Sequence, residues 1–393
     1  MYYLYPMSEF PKKLQERLDT RHRDGNYREL PVLSGRKDFT SNDYLGLARQ
    51  PLISEGRPSG LQMRGSTGSR LLSGNHPLYE QAEQMVAGFH RADAALIYNS
   101  GYDANLGLLS AVLQRTDYVF YDRSVHASIR DGISLGYARS FRYEHNSLAS
   151  LQASVRNALG KQRPADAEVY VVTESVFSME GDGPDLLPLL AYCRDNNFRL
   201  ILDEAHAVGV LGPSGRGAAV EQGLERDVFA RVVTFGKALG CHGAAVLGSP
   251  SLKEYLLNFS RSLIYTTALP PHSLEAVIAA YCILGSPEGT AALEELHERL
   301  AHFDREIEGA GLRPFFTEAR AAIFNCRISG NDRVRKIATA LQDAGFEVRP
   351  ILSPTVPAGQ ECLRFCVHRY NTPEEIQEVL SILGRKLHGT QNG

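Results

Sequence analysis

Lys237 stands where little but covalent chemistry explains it. It follows Arg231-Val-Val-Thr234, a short run that reads as a buried strand, and precedes a glycine-rich, nearly uncharged stretch from Ala238 to Gly248. A lysine enclosed in such sequence is desolvated, and desolvation disfavours the ammonium form. The neutral amine is a nucleophile able to form a Schiff base with an aldehyde. A lysine at a strand end can instead carry its ammonium out to water on its alkyl stem. The stretch alone weighs these two readings equally.

A second motif separates them. In Leu200-Ile-Leu-Asp203-Glu-Ala-His206 another apolar run stops at a charge, roughly thirty residues before Lys237. Alone, Asp203 reads as a helix N-cap after a strand. Paired with a Schiff-base lysine, it suits pyridoxal phosphate. A carboxylate beside the pyridinium nitrogen raises its pKa, so the ring stays protonated and accepts electrons from a carbanion.

Both residues need a scaffold that brings strand ends together. From about residue 50 to 285 the chain alternates short Val-, Ile- and Leu-rich runs with segments long enough for crossover helices. Candidate strands lie at 94–98, 118–121, 168–173, 199–202, 231–234 and 244–248. This pattern predicts an α/β fold with a mostly parallel sheet covered on both faces, and ligands then bind beyond the carboxyl ends of the strands. Ser100-Gly101, Asp122, Glu174, Asp203 and Lys237 all fall there. Residues 7–30 read as an exposed amphipathic helix, with apolar positions at Phe10, Leu14 and Leu18. Gly285-Ser-Pro-Glu-Gly289 reads as a linker, followed by a helix at 291–309 and a smaller α/β region. That region carries strands near 322–328, 347–351 and 363–367 and helices at 334–344 and from Thr372. The expected division is an N-terminal helix and arm (1–48), a large domain (49–288) and a small C-terminal domain (289–393).

Weaker motifs gather at the same expected edge. Asn99-Ser100-Gly101-Tyr102 follows a strand and opens a helix, where backbone N–H groups bind phosphate; a simple turn and cap explains it equally well. Thr234 lies three residues before Lys237, within reach of that phosphate. His126 follows another strand end, and its flat ring could stack on a pyridine, although a partly buried structural histidine is the plainer reading. The loop from Gly65 to His76 is a weak phosphate cradle, since no strand precedes it; flexibility around a ligand explains its glycines better. Arg364 sits at the centre of a strand after Pro354-Thr355-Val-Pro-Ala-Gly359. Guanidinium suits a carboxylate, but spacing alone favours an edge arginine facing water.

Composition excludes several classes. Hydrophobic residues make up 43% and charged residues 22%, and the net charge of −3 gives no global basic surface for nucleic acid. Six cysteines are scattered without a C-x-x-C pair, so neither a disulfide framework nor a metal site follows. No apolar run approaches the ~20 residues that span a bilayer. A cytoplasmic protein is expected.

Five segments in order, Ser41-Asn-Asp-Tyr-Leu-Gly46, Gly65-Ser-Thr-Gly-Ser-Arg-Leu-Leu-Ser-Gly74, Asp203-Glu-Ala-His206, Thr234-Phe-Gly-Lys237 and Tyr265-Thr-Thr-Ala-Leu-Pro-Pro271, extend over most of the chain. In them it resembles the α-oxoamine synthase family of pyridoxal-phosphate enzymes. The resemblance implies the fold type I, aspartate aminotransferase-like architecture and a homodimer with shared sites. It implies an acyltransferase that joins an amino acid to an acyl thioester with loss of CO₂. Gly243-Ala-Ala-Val and Pro354-Thr-Val-Pro-Ala-Gly359 are most similar to members using L-alanine and a pimeloyl thioester, carried on CoA or acyl carrier protein. Members using glycine with acetyl-CoA, or serine with a long acyl chain, come next. By the same resemblance Lys237 is the Schiff-base lysine and the base for the α-proton, Asp203 holds the pyridinium and His126 stacks on the ring. His206 and Ser178 lie on the phenolic-oxygen side. Ser100, Gly101, Tyr102 and Thr234 bind phosphate, with Thr266 from a second subunit. Asn42, Glu174, Thr355 and Arg364 face the substrates, Arg364 on the amino acid carboxylate, and Arg28 lies near the acyl chain's distal carboxylate. A non-catalytic, partner-binding paralogue would be expected to lack the lysine.

Overall fold

The apolar runs and the amphipathic segments between them become strands and helices in a computed structural model, which describes residues 10–30, 35–50, 64–160 and 166–389. In chain order the strands are β1 (Lys37–Asp38), β2 (Ala94–Tyr98), β3 (Tyr118–Asp122), β4 (Arg139–Tyr143), β5 (Val169–Glu174) and β6 (Arg199–Asp203). There follow β7 (Ala230–Thr234), β8 (Ala244–Gly248), β9 (Ile323–Arg327), β10 (Phe346–Glu347), β11 (Arg349–Ile351) and β12 (Cys362–Cys366).

Seven of them form one sheet in the order β2-β8-β7-β6-β5-β3-β4. β8 runs antiparallel to both of its neighbours, and the other pairings are parallel. Strands β2 to β7 therefore all end at one edge, where β8 begins. Successive residues point to opposite faces. Ala95 and Ile97 enter one apolar core while Leu96 and Tyr98 enter another, as do Val169 and Val171 against Tyr170 and Val172. Both faces are thus covered, and the sheet is the mostly parallel one that the sequence predicts. β4 was not expected. As an edge strand it needs one apolar face only, and Arg139, Ser140 and Arg142 hide it among polar sequence.

A second unit combines the antiparallel sheet β11-β12-β9, the parallel pair β1-β10 and the helices Asn331–Asp343 and Pro373–His388. Phe39, Phe303, Phe324, Phe346 and Phe365 form its core. The helix expected at 291–309 starts earlier, at Pro287, with Ser286 as its N-cap. Proline suits a first helical position. The glycine that suggested a linker is required by crowding: a Cβ on Gly289 would lie 2.2 Å from the Ile283 carbonyl oxygen. This helix, Pro287–Gly309, gives Ala292 and Leu296 to the large core and Phe303 and Ile307 to the small one. The N-terminal helix spans Lys12–Arg23 and buries none of its residues.

Arg231 lies near the start of the strand that leads to Lys237, yet its side chain is 2% exposed. Its Nη1 lies 3.3 Å from Glu204 Oε2, and Nη2 donates to the His90 carbonyl at 2.6 Å. Removing one member of a buried ion pair leaves the other charge unpaired, which costs about 3–5 kcal/mol. Arg231→Met should lower the midpoint of urea unfolding by the equivalent of that loss. Adding Glu204→Gln should recover much of it, and an unchanged midpoint in the single variant would show that the pair contributes nothing.

Candidate active site

The carboxyl edge of the large sheet collects the charged residues. Asp203 closes β6, and its register partner on β5 is Glu174. Asp203 Oδ1 accepts the Ala205 amide at 2.9 Å, and Oδ2 accepts Asn105 Nδ2 at 2.7 Å. Burial, reinforced by Asp203, pushes the Glu174 carboxyl well above its usual range. Glu174 Oε1 accepts the His126 amide at 2.6 Å, so this acid holds the turn that presents the histidine.

Lys237 lies three residues past the end of β7 and is half-buried. Burial lowers its amine from the ordinary lysine range, against the pull of Asp203 and Glu174. This is the desolvation expected from the sequence. Gly240, at φ +63°, completes the turn by donating to the Lys237 carbonyl at 2.8 Å; a Cβ there would meet the Ala48 amide nitrogen at 2.2 Å.

His126 caps the helix Ala127–Leu135, and its side chain is exposed to the site. Nδ1 lies 2.8 Å from Ser128 Oγ. Burial, with help from Lys237, lowers its pKa, although Asp203 opposes the shift. His206 is 5% exposed. Burial, then Lys237 and Arg364, push its pKa far down, so the ring is neutral. Its Nδ1 lies 2.8 Å from the Tyr44 hydroxyl. Tyr44 also reaches Asn42 Oδ1, at 3.1 Å, and Arg364 Nη2 donates to the same oxygen at 3.0 Å. Arg364 Nε donates to the Ser178 carbonyl at 2.6 Å. β12 is the central strand of its sheet, so Arg364 points inward at these partners instead of into water.

Next to this cluster the helix Gly101–Val112 begins. Ser100 caps it by accepting the Asp103 amide, which leaves the first helical amides, those of Gly101 and Tyr102, for an anion. Thr234 closes the other side. A Cβ on Gly101 would lie 2.5 Å from Thr234 Cγ2, so only glycine fits. The Tyr102 side chain is exposed and its hydroxyl donates to Asp131. Thr266 Oγ1 accepts Asn99 Nδ2 of its own chain at 3.1 Å, one residue before Ser100.

Two expected residues do not join the cluster. Arg28 is exposed beyond the N-terminal helix, in a segment tied to the small unit where Arg335 donates to the Gly25 carbonyl. Thr355 is exposed on the loop after β11, and among the described residues its polar contact is its amide on the Leu352 carbonyl. Three site residues escaped the sequence reading. Asn105 and Ser128 look like helix-interior residues. Tyr44 lies inside a motif already singled out, in which the reading took Asn42 alone as a site residue.

A desolvated amine, a carboxylate on the adjacent strand, an exposed imidazole and a helix start with room only for backbone fit pyridoxal phosphate. Residues 37–383 match the model of the aminotransferase class I and II family. The chain belongs to that family, in its pyridoxal-phosphate-dependent α-oxoamine synthase branch. It is 37% identical to the 8-amino-7-oxononanoate synthase of Emericella nidulans, over 96% of this chain and 97% of that one. It is 35% identical to that of Citrifermentans bemidjiense, over 95% and 98%. Among solved structures it is similar to serine palmitoyltransferase from S. paucimobilis (TM-score 0.84, 27% identity, 96% and 98% covered). It is also similar to 8-amino-7-oxononanoate synthase from Francisella tularensis (TM-score 0.72, 28% identity, 91% and 99% covered). The expected fold type holds.

The crowding at the cradle generates a test. Gly101→Ala should weaken pyridoxal phosphate binding by about tenfold or more, as loss of one charge-assisted hydrogen bond does. Thr234→Ser removes the methyl group in the way, so the double variant should regain affinity. A fluorescence titration reads both, and equal affinities for wild type and Gly101→Ala would remove phosphate from this cradle.

Proposed function

We propose that this chain condenses L-alanine with a pimeloyl thioester, releasing CO₂ and the thiol, to give 8-amino-7-oxononanoate in biotin biosynthesis. The observation that carries the reading is the convergence of Lys237, Asp203, His126, His206 and Arg364 at one sheet edge. It occurs in a chain whose near-full-length relatives bear the name of that product's synthase. When bound, pyridoxal phosphate supplies an aldehyde for the amino group and a ring that accepts the electron pair released at the α-carbon.

The chain's own residues do the rest. Ser100, Gly101, Tyr102 and Thr234 anchor the phosphate, and a second copy of the chain contributes Thr266. Asp203 holds the ring nitrogen, and His126 covers the ring face. Lys237, its amine shifted toward the neutral form by burial, takes the α-proton at Nζ. Arg364 is fixed by Ser178 and Asn42 with donors left over for the amino acid carboxylate. Neutral His206 gives its Nδ1 hydrogen to Tyr44, whose own hydrogen goes to Asn42 Oδ1, and leaves Nε2 to accept a hydrogen bond from the condensing substrates. Glu174 faces the same space while holding His126, and the reading assigns Thr355 and Arg28, exposed apart from this cluster, to the substrates. No single helix among the described residues is long and apolar enough to cross a membrane, and the reading places the enzyme in the cytoplasm. The similarity to serine palmitoyltransferase supports a second reading, the same chemistry on serine and a long acyl chain.

Lys237→Ala should abolish turnover and the visible absorption of the lysine-linked cofactor while far-ultraviolet circular dichroism stays native. Incubating the wild type with alanine, glycine or serine and matching thioesters on CoA or acyl carrier protein, followed by mass analysis, identifies the product. A long-chain keto product from serine would move the chain to the second reading. Substantial turnover in Lys237→Ala would sink both.

Arg28 provides a sharper test of the acyl chain. If it meets the distal carboxylate, Arg28→Ala should weaken use of the pimeloyl thioester by ~1.5–3 kcal/mol. A thioester of equal length without that carboxylate should be indifferent. Equal effects on both would assign the carboxylate to another residue.

A further inference from the structure

Asn105 lies one turn into the helix that starts at the cradle, and only 3% of it is exposed. Its side-chain amide is divided between two arms of the site. Nδ2 donates to Asp203 Oδ2 at 2.7 Å and to Ser128 Oγ at 3.1 Å. An amide nitrogen carries two hydrogens, so both are used. The opposite orientation would set the Asn105 carbonyl oxygen against a carboxylate, so charge fixes the amide as found.

Ser128, fully buried, has one hydrogen to give. Its Oγ accepts from Asn105 and lies 2.8 Å from His126 Nδ1. The Ser128 backbone N–H also points at Nδ1, at 3.3 Å. The backbone N–H can only donate, so Nδ1 is the acceptor there and the hydroxyl hydrogen is given to it as well. At the other end, Asp203 accepts the Ala205 amide on one oxygen and Asn105 on the other, so neither is open to a proton from these partners. The four side chains form one directed series, from the Asn105 amide outward to Asp203 on one side and through Ser128 to His126 on the other.

We infer that Asn105 and Ser128 are positioning residues that fix two protonation states together, Asp203 as the carboxylate and His126 as the neutral imidazole with its proton on Nε2. The partner of one ring nitrogen sets which nitrogen carries the proton. The coupling has a chemical purpose. The ring that Asp203 keeps protonated is cationic, and an imidazolium stacked on it would repel it, whereas a neutral imidazole does not. The other charged groups facing His126 are Lys237, Arg130 and Asp131, with Glu174 on its backbone; they are of both signs and impose no tautomer. The inference rests on the assignment of Asp203 and His126 to the cofactor ring.

Full-length protein with nitrogen-15-labelled histidine, studied with pyridoxal phosphate removed and then restored, reports the tautomer. The His126 signals are identified by their loss in His126→Gln. The expected result is an unprotonated Nδ1 and a protonated Nε2 in both forms. Ser128→Ala should move the Nδ1 signal toward a tautomer mixture, and Ser128→Thr, which keeps the hydroxyl, should restore it. Asn105→Leu should also disturb the signal and weaken pyridoxal phosphate binding by about tenfold or more, as expected when a carboxylate loses a hydrogen bond. Should Asn105→Leu fail to fold, the serine pair decides alone. A wild type protonated at Nδ1, or His126 signals unchanged in Ser128→Ala, overturns the inference. Absence of cofactor binding in the wild type would instead strike the assignment of the site, leaving the tautomer result to stand by itself.

Discussion

Everything at this site depends on charges being taken out of water at a single sheet edge. Asp203 and Glu174 end adjacent strands in register, and Lys237 lies beside both. Removing each charge from water costs several kcal/mol, and mutual attraction offsets that cost only when the geometry is tight. The geometry is tight because the strands are buried along their whole length. β5 and β7 have no exposed residue, and β6 is buried from Leu200 to Asp203. A sheet this enclosed cannot slip by one residue without turning every apolar side chain to the wrong face. The register that packs the core is therefore the register that sets the acids side by side.

The antiparallel β8 solves a second problem. Most other strand ends lead away into crossover helices, but β7 returns at once through residues 235–243 to β8 on the same edge. Phe235 and Gly243 pair across the base of this loop at 2.9 Å. Lys237 is thereby carried on a short, closed loop, and its amine stays where burial can act on it.

Much of this was legible beforehand, for identifiable reasons. Lys237, Asp203 and the fully buried strands announce themselves because a charge that interrupts an apolar run is rare without a partner. β4 was not legible, since an edge strand with Arg139 and Arg142 has no continuous apolar signal. Asn105 and Ser128 were missed because a polar residue near the start of a helix looks the same whether it faces water or a buried partner. Gly289 suggested flexibility when it marks close packing between two helices. The inward aim of Arg364 followed from strand order, which spacing along the chain does not encode. Ser100, Gly101, His126, Asp203, Thr234 and Lys237 were reached from strand ends, where topology and chemistry coincide, whereas Arg364 lies mid-strand.

The short segment from Lys37 to Tyr44 belongs to both halves of the molecule. β1 pairs with β10, and the Phe39 carbonyl accepts the Cys366 amide, so this segment extends the small unit. Five residues later Tyr44 reaches into the large one at His206, and its carbonyl accepts the Arg369 amide. A shorter product started internally at Met63 would keep all seven strands of the large sheet, Lys237 and Asp203. It would lack the staple between the halves, together with Asn42 and Tyr44. Such a product would leave Arg364 without the Asn42 oxygen it donates to and His206 without the Tyr44 hydroxyl, so the side chains that join the two halves at the site would be gone.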